Sequence, residues 1–194
     1  LAVGNPYNLN STVTAGIISA KSRKINILND GGIESFIQTD AAINSGKSGG
    51  ALVNIDGNLI GINTAIQSKT GSFSGYGFAI PSNMAEKIIN DLKLYGEVRR
   101  AYIGIHITDI NMRVQKELKL HGLEGVLISK VLENSAAELA GIKDLDVILE
   151  INGIKVNSTS ELHELIIQFN PGDEINCTIQ REEQIKTVTL SLKA

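Results

Sequence analysis

One stretch concentrates the residue types that acyl-transfer chemistry demands. Thr39-Asp40-Ala41-Ala42-Ile43-Asn44-Ser45-Gly46-Lys47-Ser48-Gly49-Gly50-Ala51-Leu52 sets glycines on both sides of a serine, between two apolar runs. A serine nucleophile must hold its hydroxyl outward on a tight turn, with backbone N–H groups converging where the carbonyl oxygen becomes an anion. Gly46, Lys47 and Ser48 form such a turn. Gly46 permits a positive φ or a crowded geometry, so that its own N–H and that of Ser48 can aim at one point. Loss of one such donor typically costs on the order of 3 kcal/mol of transition-state stabilisation. Gly49 and Gly50 clear space for a substrate and for the next strand.

Two other readings of the same residues stand beside this one. Gly46-Lys47-Ser48 ends like a phosphate-binding P-loop, but that motif requires a glycine where this chain has Ala41, and a helix afterwards. The chain continues instead with an apolar run, Asp56-Gly57 and a second apolar run, the pattern of a hairpin. The remaining alternative is a plain turn, which the Gly-x-Ser-Gly-Gly string fits equally well.

The surroundings of the serine are more specific. Asp40, Ser48-Gly49-Gly50-Ala51-Leu52, Gly61-Ile62-Asn63-Thr64-Ala65 and Gly77-Phe78-Ala79-Ile80-Pro81 together resemble the HtrA family of envelope serine proteases. The likeness runs from Gly4-Asn5-Pro6 and Gly16-Ile17-Ile18-Ser19-Ala20 to the C-terminal domain. It implies a mainly β chain: over residues 1–97 the C-terminal β-barrel of a chymotrypsin-like serine protease, and over residues 98–194 an α+β PDZ domain. It also implies Ser48 as catalytic nucleophile and Gly46, Lys47 and Ser48 as the oxyanion hole. Ile43 and Ile66 would line a specificity pocket for small or medium aliphatic side chains, and Arg23 would be the sensor of a regulatory loop over Lys21–Ser35. For Arg23, a solvated loop cation is an equal reading, and either isoleucine could be ordinary core. One residue departs from the family, which usually carries asparagine where this chain has Lys47.

A general base is missing from this picture. The three histidines, His106, His121 and His163, all come after the serine, in the second domain, and none resembles the family's histidine motif. The resemblance places that histidine and its aspartate on a first barrel, so the chain is expected to be inactive alone. No signal peptide is read at Leu1-Ala2-Val3-Gly4.

The chain has 194 residues, 42% hydrophobic and 20% charged, which suits two ordered domains of about 100 residues each. A net charge of −3 without a dense basic cluster argues against nucleic acid. One cysteine, Cys177, excludes an internal disulfide, no cysteine–histidine–carboxylate spacing suggests a metal, and no cofactor is implied. Apolar runs are too short for a transmembrane helix.

The elements that must position these residues are set by periodicity. A strand is expected over Val13–Ala20, broken at Gly16, and a loop over Gln67–Gly77 beside the pocket. Asn83 and Glu86 have capping-box spacing ahead of Met84, Ile88, Leu92 and Tyr95, with Gly96 as the stop. After a junction at Glu97-Val98-Arg99-Arg100, Tyr102-Ile103-Gly104-Ile105 resembles the PDZ turn whose amides take a peptide's terminal carboxylate beside a strand edge. Ser135/Glu138 and Ser158/Glu161 are two further capping boxes, and Asn152-Gly153 is a hairpin turn. Leu162, Leu165, Ile166 and Phe169 form a helical stripe, with Leu162 and Ile166 assigned to the peptide groove and His163 to solvent. A closing hairpin over Ile175–Gln180 and Thr187–Leu192 turns Cys177 inward.

Together these expectations describe an ATP-independent serine endoprotease of protein quality control in the bacterial periplasm or cell envelope. It would take unfolded proteins as substrates and C-terminal peptides at the PDZ domain, and assemble as a trimer or larger. The competing expectation is a non-catalytic peptide-binding adaptor on a half-barrel platform.

Overall fold

Short β-branched and aromatic runs punctuated by glycine and asparagine make the strands of both halves of the chain. The computed structural model describes residues 1–5, 12–27, 33–66, 75–118, 120 and 122–194, with backbone only at Ala65 and Ile66. These divide into two units, Leu1–Glu97 and Val98–Ala194.

The first unit is one antiparallel sheet of β1 (Ala2–Gly4), β2 (Thr12–Thr14), β3 (Ile18–Arg23), β4 (Phe36–Thr39), β5 (Ala51–Val53), β6 (Leu59–Ile66) and β7 (Gly77–Pro81), with α1 (Ser82–Tyr95) after it. The strand order is β2-β1-β5-β6-β7-β4-β3, with register shifts in the β3–β4, β5–β6 and β6–β7 pairs. The strand expected over Val13–Ala20 is therefore two. Gly16 lies in the break, where a Cβ would stand 2.3 Å from both Ala41 N and Asp40 Oδ1. β3 also runs to Arg23, so the expected loop begins later than Lys21. Around Asp56-Gly57, Asn54 Oδ1 accepts from Asp56 N (3.0 Å) and Asn58 N (2.9 Å), so the connection spans residues 54–58. The expected Gln67–Gly77 loop falls largely outside the described residues, and Gly77 itself opens β7.

The Asn83–Glu86 capping box does not form. β7 pairs with β6 as far as Pro81, opposite Gly61, so Pro81 occupies the N-cap position and no side chain caps the helix. At the other end Gly96 closes α1 as expected, its N–H on Leu92 O at 3.1 Å. The buried side of α1 is Met84, Ala85 and Asp91, the last paired with Lys87, whereas Leu92 and Tyr95 of the expected stripe are half exposed. The core of this unit includes the cluster Ala2, Ala41, Ile43, Leu52 and Ala79, together with buried Phe36 and Phe78, whose rings meet edge to face at 6.3 Å.

The second unit has β8 (Ile105–Asp109), α2 (Met112–Leu118), β9 (Val126–Val131), α3 (Ala136–Leu139), β10 (Val147–Ile151), β11 (Ile154–Lys155), α4 (Thr159–Ile166), β12 (Glu174–Arg181) and β13 (Gln184–Ser191). Its sheet runs β13-β12-β10-β9-β8, with β11 on β10, which leaves β8 at an edge. Both serine caps form: Ser135 Oγ accepts from Glu138 N and Ser158 Oγ from Glu161 N, each at 3.1 Å. Each glutamate reaches back one residue beyond the serine, Glu138 to Asn134 N (2.6 Å) and Glu161 to Asn157 N (2.7 Å). Isoleucine, valine and leucine fill a large apolar core that includes Ile128, Ile148, Ile151, Leu162 and Ile175. Cys177 is buried in it, and burial, with the nearby Asp146 carboxylate, pushes its thiol up to about 12. Asp146 is itself held by a two-point ion pair with Arg181, at 2.7 Å to each carboxylate oxygen.

Candidate active site

The turn before Ser48 is built by backbone chemistry. Asn44 O accepts from Lys47 N at 3.0 Å, and Gly46, third of the four residues, has φ 93°, as a type II turn requires. Lys47 O then accepts from Gly50 N (3.0 Å), Gly49 N donates to Asn63 O (2.7 Å), and Asn63 N donates to Gly50 O (2.9 Å). The Asn63 amide spans from β1 to β5, giving hydrogen bonds to Val3 O (3.1 Å) and Ala51 O (3.2 Å). Asp40 fixes the approach to the turn by accepting from Ile17 N at 2.7 Å.

Two amides are left over. Gly46 N and Ser48 N have no hydrogen-bond acceptor among the described residues. Lys47 N is spent on Asn44 O, so of the three amides expected to act as donors only those of Gly46 and Ser48 are left. Ser48 is exposed, and its Oγ donates to Thr64 O at 3.2 Å. Among the described residues no histidine or carboxylate bonds that hydroxyl. His106 and His163 belong to the second unit, and His121 lies outside the described residues.

Lys47, the departure from the family, does not place its ammonium beside Ser48. Its side chain is 1% exposed and runs away from Ser48, with Nζ donating to Thr14 Oγ1 (2.5 Å), Ala42 O (2.9 Å) and Ala2 O (3.2 Å). Burial lowers its pKa from the usual 10.5. An amine so engaged is not the base for Ser48, and it is out of reach of a phosphate, which together with the strand β5 after the turn disposes of the P-loop reading.

The remaining residues named for the first unit divide. Ile43 is 1% exposed, part of the core and packed where a Cβ on Gly77 would meet its Cδ1 at 2.9 Å. It is a core residue here. Ile66 closes β6 opposite Gly77, and its side chain lies outside the described residues. Arg23 ends β3, its Nε donating to Gln38 Oε1 at 2.9 Å. Sequence reading missed Glu34, whose buried carboxylate accepts from Ile25 N (2.7 Å), Asn26 N and Ile27 N (2.6 Å each) and so shapes the chain after β3.

In the second unit, Tyr102-Ile103-Gly104-Ile105 precedes and enters the edge strand β8. Ile103 O accepts from Ala137 N (2.9 Å) and Gly104 O from Leu132 N (3.0 Å), so the carbonyls turn into the fold. The Ile103 and Gly104 amides have no acceptor among the described residues. Only glycine fits at 104, where φ is 81° and a Cβ would lie 2.2 Å from Ser135 Cβ. Tyr102 bridges to Lys193 through both of its backbone groups, so its amide is not free for a ligand. Leu162 is 1% exposed and sits in the core, a correction to its place in a groove, whereas Ile166 is half-buried at the core's margin. Thr159 N, at the start of α4, donates to Asp109 Oδ1 (2.6 Å) at the end of β8, holding helix and edge strand side by side.

Known proteins resemble this chain over its whole length. The family model of the trypsin-like peptidase domain matches residues 1–62, and that of the PDZ domain matches residues 101–192. Periplasmic serine endoprotease DegP of Salmonella typhimurium is 45% identical over 194 residues, which is 100% of this chain and 40% of that protein. A probable periplasmic serine protease of Haemophilus influenzae is 43% identical, over 100% of this chain and 41% of its own length. Among solved structures, the HtrA-type protease AlgW with a tripeptide is 38% identical at a TM-score of 0.70, covering 100% of this chain and 64% of that one. The chain thus spans about two fifths of the curated relatives it matches. It belongs to the HtrA family of serine proteases, and carries part of a trypsin-like peptidase domain and, after it, a PDZ domain.

Proposed function

We propose that this chain supplies the nucleophile and oxyanion hole of an HtrA-type serine endoprotease that works in the bacterial periplasm or cell envelope on unfolded or misfolded proteins. The observation that carries this is the exposed Ser48 hydroxyl beside two amides, Gly46 N–H and Ser48 N–H, that have no acceptor among the described residues. Ser48 Oγ attacks the scissile carbonyl, the two amides take the developing oxyanion, and water later releases the acyl group. The proton goes to a histidine, oriented by an aspartate, on another part of the intact protein. The names of the relatives, periplasmic serine endoproteases, support the compartment and the reaction class.

The second unit recognises C-terminal peptides in this reading. A terminal carboxylate docks on the Ile103 and Gly104 amides, and the peptide adds as a strand along β8 with Ile166 beside it. A relative solved with a bound decapeptide or tripeptide supports that mode. Arg23 and the loop after it would pass peptide binding on to the active site, and the intact protein would be a trimer or larger.

A second reading, a peptide-binding adaptor, is favoured by one observation: the Ser48 hydroxyl is bonded to Thr64 O rather than to a base. Casein hydrolysis by the full-length protein separates the two. We expect activity that Ser48→Ala abolishes and that this chain alone lacks. A full-length protein that is inert even with an activating C-terminal peptide, yet binds that peptide, is the adaptor.

A further inference from the structure

We infer that Lys47 is a positioning residue for the oxyanion hole, its buried side chain stapling the nucleophile turn to β1, to Thr14 and to the chain before the turn. This rests on the protease reading of Ser48. The turn is bounded by two pliable points, Gly46 at φ 93° and Gly49 at φ 83°, and between them Lys47 is held by three side-chain hydrogen bonds, whereas Ser48 has one, from its reacting hydroxyl to Thr64 O. Ser48 N–H belongs to the peptide unit immediately after Lys47 Cα. Gly46 N–H lies inside the turn that the Lys47 amide closes on Asn44 O. Holding Lys47 therefore holds both donors.

The staple is saturated. An ammonium has three protons, and three acceptors meet it: Ala2 O, Thr14 Oγ1 and Ala42 O, from three separate stretches of chain. Thr14 supports this orientation, since its own proton goes to Ala42 O at 2.7 Å and leaves a lone pair for Lys47. β1 passes so close that a Cβ on Gly4 would lie 2.7 Å from Lys47 Cα. None of the three acceptors is a carboxylate. A buried cation satisfied only by neutral groups is costly, and an apolar side chain of the same volume is commonly as stable or more so. Stability is thus a poor reason for lysine here. Orientation of a turn that must not flip is a better one.

The test uses the full-length protein with Lys47→Met, which keeps an unbranched apolar stem one atom shorter and loses every side-chain donor, with Thr14→Val, and with the two combined. The readouts are kcat and KM for a short peptide substrate and the rate of labelling of Ser48 by a fluorophosphonate. Lys47→Met is expected to lower kcat and labelling by about 10²- to 10³-fold with KM within about twofold, the size of a lost oxyanion donor. Thr14→Val should cost less, about tenfold, and the double variant should be no worse than Lys47→Met, because Thr14 acts through the lysine. Should Lys47→Met fail to fold, Thr14→Val carries the test by its own kcat and labelling rate. Wild-type kcat and labelling in Lys47→Met, a loss confined to KM, or additive effects in the double variant overturns the inference. Those outcomes differ from failure of the protease reading itself, in which the wild-type protein neither hydrolyses peptide nor labels at Ser48 and the role assigned to Lys47 falls with it.

Discussion

Two turns in this molecule do the same thing by different means. Each leaves a pair of backbone amides without an acceptor among the described residues, around a glycine with positive φ: Gly46 and Ser48 in the first unit, Ile103 and Gly104 in the second. The second pair lies on an apolar floor, with Ile103, Ala136 and Ala137 all in the large core and Gly104 against the cap residue Ser135. The first pair is held by polar ties: Lys47 to three acceptors, Asn63 to β1 and β5, Asp40 to Ile17. Apolar support depends on volume, whereas polar support depends on direction and on protons.

The broadest way to break this contrast is pH, because the buried titratable groups of the two units pull in opposite directions. The Cys177 thiol is pushed from 9.0 up to about 12, so above pH 9 the unfolded chain has lost a proton that the native chain keeps. Stability of the second unit then falls as pH rises from 9 to 12, by up to about 4 kcal/mol for three pH units. Lys47 is shifted down from 10.5, so below that value the unfolded chain binds more protons than the native one, and this group favours the first unit as pH rises toward 10.5. Thermal unfolding between pH 7.5 and 11, with Cys177→Ala and Lys47→Met as references, checks both signs. Parallel decline of wild type and Cys177→Ala would remove the thiol from the account.

Next in size is a pair of substitutions that distinguishes floor from groove. Leu162→Ala empties a fully buried site and should cost about 2–5 kcal/mol of stability. Ile166→Ala, at a half-buried position, should cost less stability but weaken a C-terminal peptide more, relative to the fraction folded. Denaturant titration and peptide affinity of each variant settle it. Large affinity loss with unchanged stability in Leu162→Ala would return that residue to the groove.

The same division governs how much of the molecule is legible in its sequence. The nucleophile turn is visible because its chemistry is local: glycines, a serine and a hairpin after them, all close together in the chain. So are the caps at Ser135 and Ser158 and the inward Cys177, each set by spacing along one element. The supports of the active turn are not visible, because they join residues far apart, Lys47 to Ala2 and Thr14, Asn63 to Val3. No pattern in the sequence announces that Glu34 gathers three amides. Ile43 and Leu162 show a further limit: an apolar residue looks the same in a pocket wall as in a core, and only burial separates them.

The smallest expected effect tests why one capping box of three did not form. Ser158→Ala removes an acceptor that Glu161 N uses at 3.1 Å, and should lower stability by about 1 kcal/mol. Asn83 has equally good spacing to Glu86, yet the pairing of β7 with β6 puts Pro81 at the cap and moves Asn83 inside the helix. Asn83→Ala should therefore be neutral or slightly stabilising, because alanine has the better helix propensity and no cap is lost. Urea unfolding of both variants gives the comparison. If Asn83→Ala costs as much as Ser158→Ala, a side-chain cap exists on α1 in solution, and the strand register would not be what fixes the start of that helix.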